Sequence, residues 1–158
     1  MCVETSICQR KWESLSRAYA RLHDYYLGKI DQLDSFNGPK DFVYSYFHAT
    51  YSLKEALKNL EGMGGKNGIV ETFIVDEPNI ALGIDISNSE KHGKLNDPKS
   101  KRVIGKVNAH VHVFDPSGKD RTELTIEIDG EKTDCLVLAT KNFETWKDFM
   151  INNKIKFQ

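Results

Sequence analysis

Cysteine is scarce in this sequence and poorly arranged for cross-linking. Cys2, Cys8 and Cys135 are an odd number in no metal-ligand spacing, which argues against a disulfide framework and against a zinc site. Reduced thiols in a cytoplasmic protein are the expectation. Net charge is nearly absent too, at −1 with a pI near 6.5, so there is no bulk electrostatic footprint for nucleic acid. Contact of that kind needs a local patch, and Lys91, Lys94, Lys99, Lys101 and Arg102 form the one candidate. A lysine-rich loop is more often just solvated. No apolar run approaches the length that spans a bilayer. The N-terminus has no basic segment leading into an apolar one, so no signal peptide is expected. A Gly-x-Ser-x-Gly hydrolase elbow is missing. Glu61 to Gly68 is rich in glycine, but it follows no strand and lacks a Gly-Lys-Ser/Thr ending, which excludes a phosphate-cradling loop of that kind.

What is present is ordinary globular material. The chain has 158 residues, 39% hydrophobic and 28% charged, enough for one domain with a real core. After a loose lead-in over 1–8, the positions Trp12, Leu15, Tyr19, Leu22, Tyr26 and Ile30 step by three and four. They mark one face of a long helix over 9–30. A turn over 34–39 leads to a second helix over 39–60, with Val43, Tyr46, Phe47, Thr50, Leu53, Leu57 and Leu60 as its stripe. Two long amphipathic helices with a short connection pack antiparallel. A short helix over 69–75 follows. Pro78 then opens another that runs to His92 and stops at Gly93.

Beyond Gly93 the period changes from about 3.6 to 2. Val107, Ala109, Val111 and Val113 alternate with Asn108, His110 and His112. Leu124, Ile126 and Ile128 alternate with Glu123, Thr125, Glu127 and Asp129, and Cys135 to Leu138 reads as a third strand. Phe143, Trp146, Phe149 and Met150 stripe a last helix over 140–154. The expected architecture is a single α+β domain, mainly α. It comprises a helical bundle over 9–92, a three-stranded antiparallel meander over 102–138, and a C-terminal helix that returns to the bundle.

The densest group of reactive side chains is Asp85 to Leu95. On a helix Asp85, Asn88 or Ser89, and His92 share one face. Asp85 and Asn88 are placed to orient groups near His92, while Ser89, Lys91 and Lys94 are placed to hold an anionic ligand. In a ribonuclease-like reaction His92 would accept the proton of a ribose 2′-hydroxyl, and the cations would stabilise the phosphorane charge. A capping and hydrogen-bonding network explains the same residues without chemistry, and Lys91 and His92 suit a helix C-terminus in any case.

Other candidates are weaker. His110 and His112 point the same way on a strand and could ligate a metal with Glu123, Glu127 or Asp129, but the sequence supplies no third ligand of known position. Arg17 and His23 stand about 120° apart on a helix rather than on one face. Tyr44, His48 and Tyr51 could form a second polar surface, although aromatics beside a core stripe usually just extend the core. No metal or cofactor is expected.

The segments Asp41 to Leu57 (DFVYSYFHATYSLKEAL), Ala81 to His92 (ALGIDISNSEKH) and Thr133 to Met150 resemble those of a set of small uncharacterised bacterial and phage-associated proteins. These in turn are similar to the HEPN group of helical-bundle domains in toxins, abortive-infection systems and RNA-processing enzymes. The resemblance implies a HEPN-like bundle, a homodimer, and binding of RNA or a protein partner in a defence or toxin–antitoxin setting. Active members are metal-independent ribonucleases that place an arginine shortly before a histidine. His92 matches the histidine, whereas Asp85 to Ser87 occupy the arginine's place. A non-catalytic interaction module, with a purely structural polar cluster, is the alternative.

Overall fold

The computed structural model describes residues 3–29, 38–66, 68–112 and 121–155. Five helices and three strands follow in the order α1 (Val3–Tyr26), α2 (Lys40–Lys58), α3 (Ile69–Asp76), α4 (Pro78–His92), β1 (Ile104–His112), β2 (Arg121–Ile128), β3 (Glu131–Asp134) and α5 (Cys135–Asn152). The fold is α+β and mainly helical, with one antiparallel sheet in the order β1-β2-β3. Among the described residues, no helix is long and apolar enough to cross a membrane.

Helices α1 and α2 pack along each other through the expected stripes. Leu15, Leu22, Val43, Tyr46, Leu53 and Leu57 are wholly buried. Tyr25 stacks on Phe42 and Tyr19 meets Tyr46, so advancing along α2 retreats along α1 and the pair is antiparallel. Helix α1 starts earlier than its periodicity implies: Val3 to Cys8 are helical rather than a loose lead-in, and Cys8 is buried. Ile30 lies outside the described residues.

Helix α4 is the central element. Every residue from Ile80 to Ser87 is buried, so it is enclosed on all sides rather than amphipathic. That encloses Asp85 and Ser87 too, so of the two readings the sequence leaves open for this polar face, a buried network holds for these two residues.

Helix α5 corrects a second expectation. Cys135 to Leu138 are not a strand: they are the first turn of α5, and β3 is the four residues before them. The Asp134 side chain accepts the Val137 N–H at 2.9 Å, the N-cap contact that starts a helix at once after a strand. Cys135, Ala139, Asn142 and Trp146 then fall on one fully buried face. Four residues of mixed apolar character cannot distinguish a strand from a helical turn.

The sheet is laid out by its turns and its burial. Asp129 and Gly130 have φ of 51° and 83°, the paired positive values of a tight two-residue hairpin turn. Val107, Leu124, Ile126 and Ile128 face the core, while Asn108, His110 and Glu127 face solvent. The side chain of Val111, and all of Val113, lie outside the described residues. Among the described residues, no strand pairs with the outer side of β1. Its ladder is irregular between Ile104 and Val107, and the Val107 N–H donates to the Tyr44 hydroxyl of α2 at 3.2 Å.

Asn142 of α5 ties three helices together inside the bundle. Its Oδ1 accepts from the Tyr46 hydroxyl at 2.8 Å and the Thr50 hydroxyl at 3.1 Å. Its Nδ2 donates to the Asn79 carbonyl at 3.1 Å. A fully buried amide is tolerated because both ends are satisfied. The room for it comes from Gly83: a Cβ there would stand 2.5 Å from Asn142 Nδ2 and 3.2 Å from Phe47. Gly83→Ala should therefore cost about 1–3 kcal/mol through overpacking. The penalty should shrink in an Asn142→Ala background, as read by a double-mutant cycle of chemical denaturation.

Candidate functional site

Asp85 is 1% exposed, and its carboxylate is fully engaged. Oδ1 accepts the Lys99 N–H at 2.8 Å, and Oδ2 accepts both the N–H and the hydroxyl of Ser100 at 2.6 Å. A buried carboxylate given three donors is a structural anchor of the kind that offsets its desolvation. It clamps the segment 93–103, which connects the bundle to the sheet. The same segment is held at its flanks. Lys99 Nζ lies 3.5 Å from Glu71 of α3, Lys101 pairs with Asp97 at 2.9 Å, and Arg102 Nε donates to Asp129 at 2.8 Å. The Val103 N–H and then Arg102 hold the Asp129 carboxyl below the usual carboxylate range.

Among the described residues, no hydrogen bond joins Asp85, Asn88 and His92. His92 is exposed on the last turn of α4 and Asn88 is half-buried. Lys91 lies with its ammonium 4.4 Å from the centre of the Tyr51 ring, which Lys54 also approaches at 4.2 Å. Each is a cation–π contact. Ser89 donates its hydroxyl to the Ile86 carbonyl at 2.9 Å.

The histidine that gathers partners is His48 of α2. Its Nδ1 is 2.7 Å from the Ser87 hydroxyl and its Nε2 is 3.0 Å from Glu90 Oε2. Glutamate, imidazole and serine in a chain have the outline of an activated nucleophile. Ser87, however, is 0% exposed, and no substrate reaches its oxygen. The chain therefore fastens α2 to α4. Cys8 and Cys135 are equally remote from nucleophilic chemistry, because burial pushes both thiols up.

A cleft opens where this fastening ends. It has a volume of about 720 Å³ and lies between the start of α2 (Lys40, Tyr44), the end of α4 (Ser89, Glu90), the clamped segment (Gly93, Lys94, Leu95, Pro98, Arg102, Val103) and the start of β1 (Ile104 to Val107). Most of its wall is apolar, and cations stand around it. Arg102 is spoken for by Asp129. Lys40, Lys94 and Lys106 are exposed and, among the described residues, have no ion-pair partner. Burial pushes the Tyr44 hydroxyl above its ordinary range, so it stays protonated; it accepts from Val107, and its own O–H has no acceptor among the described residues.

Of the Asp85–Leu95 group the cleft includes Ser89, Lys94 and Leu95, together with Arg102 of the basic run and Tyr44 of the second polar surface. Lys40, Tyr44, Glu90 and Lys106 come from segments far apart in the chain, and no local spacing could have assembled them. The strongest sequence signal is the basic run from Lys91 to Arg102. Within it the structure neutralises Lys99, Lys101 and Arg102 and leaves Lys94 at the cleft.

The remaining candidates stay apart. Arg17 reaches Ser14 at 3.3 Å, while His23 lies near the Tyr19 ring. His110 pairs across the sheet with Glu123 in register, but the His112 side chain lies outside the described residues. Among the described residues, no group of three His, Cys, Asp or Glu side chains could hold a metal ion. No family model, no curated protein and no solved structure matches the chain.

Asp85→Ala should lower stability by about 3 kcal/mol, since bonds to a charged acceptor are lost and buried donors are left unsatisfied. Amide hydrogen exchange at Lys99 and Ser100 should rise with it, whereas His92→Ala should leave both measurements unchanged. A second outcome concerns pH. The Lys58 ammonium, bonded to Glu71 at 2.7 Å, and Lys99 behind it hold the Glu71 carboxyl below its ordinary value, against burial acting the other way. The pair's stabilisation is therefore present above the unfolded-state value of about 4.3 and is lost as pH falls through the lower folded one. Melting temperature followed from neutral to acid pH should fall less steeply in Glu71→Gln.

Proposed function

We propose that this chain is a HEPN-like, non-catalytic RNA-binding protein of the cytoplasm, and that its working surface is the lysine-rimmed cleft between bundle and sheet. One observation carries the reading: Lys40, Lys94 and Lys106 line a cavity and have no carboxylate partner among the described residues, while most other cations of the same region are paired or laid on an aromatic ring. Unpaired ammonium groups gathered about a concavity attract phosphate, and sequence-independent affinity for RNA is largely of this kind. Catalysis is left out because the residues around His92 do not supply it. Asp85 is consumed by the segment it clamps, Ser87 is sealed, and no arginine stands ahead of His92 in the place that active HEPN ribonucleases use. A homodimer in a defence or toxin–antitoxin setting is the context that the family resemblance implies.

The reading is tested by titrating the protein with a short single-stranded RNA at low salt. Lys94→Glu with Lys106→Glu should weaken binding about tenfold or more, the equivalent of at least about 1.4 kcal/mol. Lys132→Glu, on the exposed β3 edge, should leave affinity unchanged, and so should His92→Ala. Equal loss in the Lys132 variant would place the contact elsewhere on the molecule.

A further inference from the structure

We infer that the cleft takes a single phosphorylated nucleotide end, with the phosphate among Lys40, Lys94 and Lys106 and the sugar and base against Leu95, Pro98 and Ile104, rather than a length of RNA backbone. The inference rests on the reading of this cleft as the binding surface and names the class of ligand that fits it.

The arrangement of charge is the first argument. A bound backbone needs cations set out in a row, with several aromatic side chains on which successive bases stack. Here three lysines from separate segments border one compact cavity, and Tyr44 is the one aromatic among the described residues of its wall. A terminal phosphate monoester carries about −1.5 to −2 at neutral pH, more than an internal diester, and matches a convergent cluster better.

Size and lining are the second argument. A cavity of about 720 Å³ belongs with those that enclose one small organic molecule, mostly against apolar wall and with a few placed polar groups. A nucleotide is such a molecule.

Glu90 is the third. A carboxylate in a cleft for bare phosphate or for a fatty acid would only repel. Glu90 gives Oε2 to His48, and its other oxygen has no partner among the described residues. That free oxygen is an acceptor for ribose hydroxyls or for an exocyclic amino group, both of which a nucleotide carries. The free O–H of Tyr44 adds a donor on the α2 side.

The end of an RNA and a free nucleotide share this chemistry, and calorimetric titration separates them. The probes are a hexanucleotide RNA bearing a phosphate at its 5′ end, at its 3′ end or at neither, a nucleoside monophosphate, and inorganic phosphate. One or both phosphorylated RNAs should bind about tenfold more tightly than the unphosphorylated one. The monophosphate should compete for the site, and the advantage should vanish in Lys94→Glu with Lys106→Glu. Glu90→Gln should weaken the nucleotide while leaving inorganic phosphate no weaker. Binding of the monophosphate alone would support a free nucleotide as ligand and overturn the RNA reading. Equal affinity for all three RNAs, with the lysine dependence retained, would overturn this inference and leave the cleft as an RNA surface. No binding by any probe would overturn both.

Discussion

The satisfied amide of Asn142 is the contact on which the bundle's geometry depends. A single polar side chain in a dry interior is costly unless its donors and acceptors are met. Here they are met by α2 through Tyr46 and Thr50 and by α4 through the Asn79 carbonyl, so only one mutual placement of α2, α4 and α5 serves. Apolar stripes would tolerate sliding between helices; this amide does not. Gly83 completes the constraint by letting α4 approach where any side chain would collide.

With α4 so placed, its second half becomes a mounting for the rest of the molecule. Asp85 reaches outward from the buried run and holds the Lys99–Ser100 turn, and Ser87 and Glu90 grip His48 of α2. The cleft is what these two attachments leave between them. Its wall of Leu95, Pro98 and Val103 stands where it does because a carboxylate one layer deeper fixes the segment that carries it. Asp85 thus shapes the cleft without lining it, whereas Ser89 and Glu90 of the same helix stand in its wall.

The fold was more legible than the site. The long stripes of α1 and α2, the limits of α4 at Pro78 and Gly93, and the alternation of β2 all announce themselves through periodicity. Cys135 to Leu138 misled because they are too few for a period to declare itself, and the decisive residue, Asp134, caps from just outside. Asn142 carries no sequence signal, since a lone amide among Phe143, Trp146 and Phe149 looks like the wet side of a stripe; its burial comes from a third helix that no local pattern shows. The cluster from Asp85 to His92 was found as residues, but its partners Lys99 and Ser100 lie beyond a loop. The cleft itself joins residues 40, 90 and 106, a juxtaposition set by tertiary packing alone.

The outer edge of β1 carries one more implication. A strand with an open side invites another chain to pair with it, and proteins blunt such edges with bulges, lysines and covering side chains. Strand β1 has all three at its first half: the irregular ladder between Ile104 and Val107, the Lys106 ammonium, and the Tyr44 hydroxyl on the Val107 N–H. Two of those guards, Lys106 and Tyr44, are also walls of the cleft. The make-up of the cleft and the protection of the sheet edge are therefore linked through the same side chains. Replacing Lys106 by an apolar residue would strip charge from a sheet edge as well as from the site, leaving a surface prone to edge-to-edge growth.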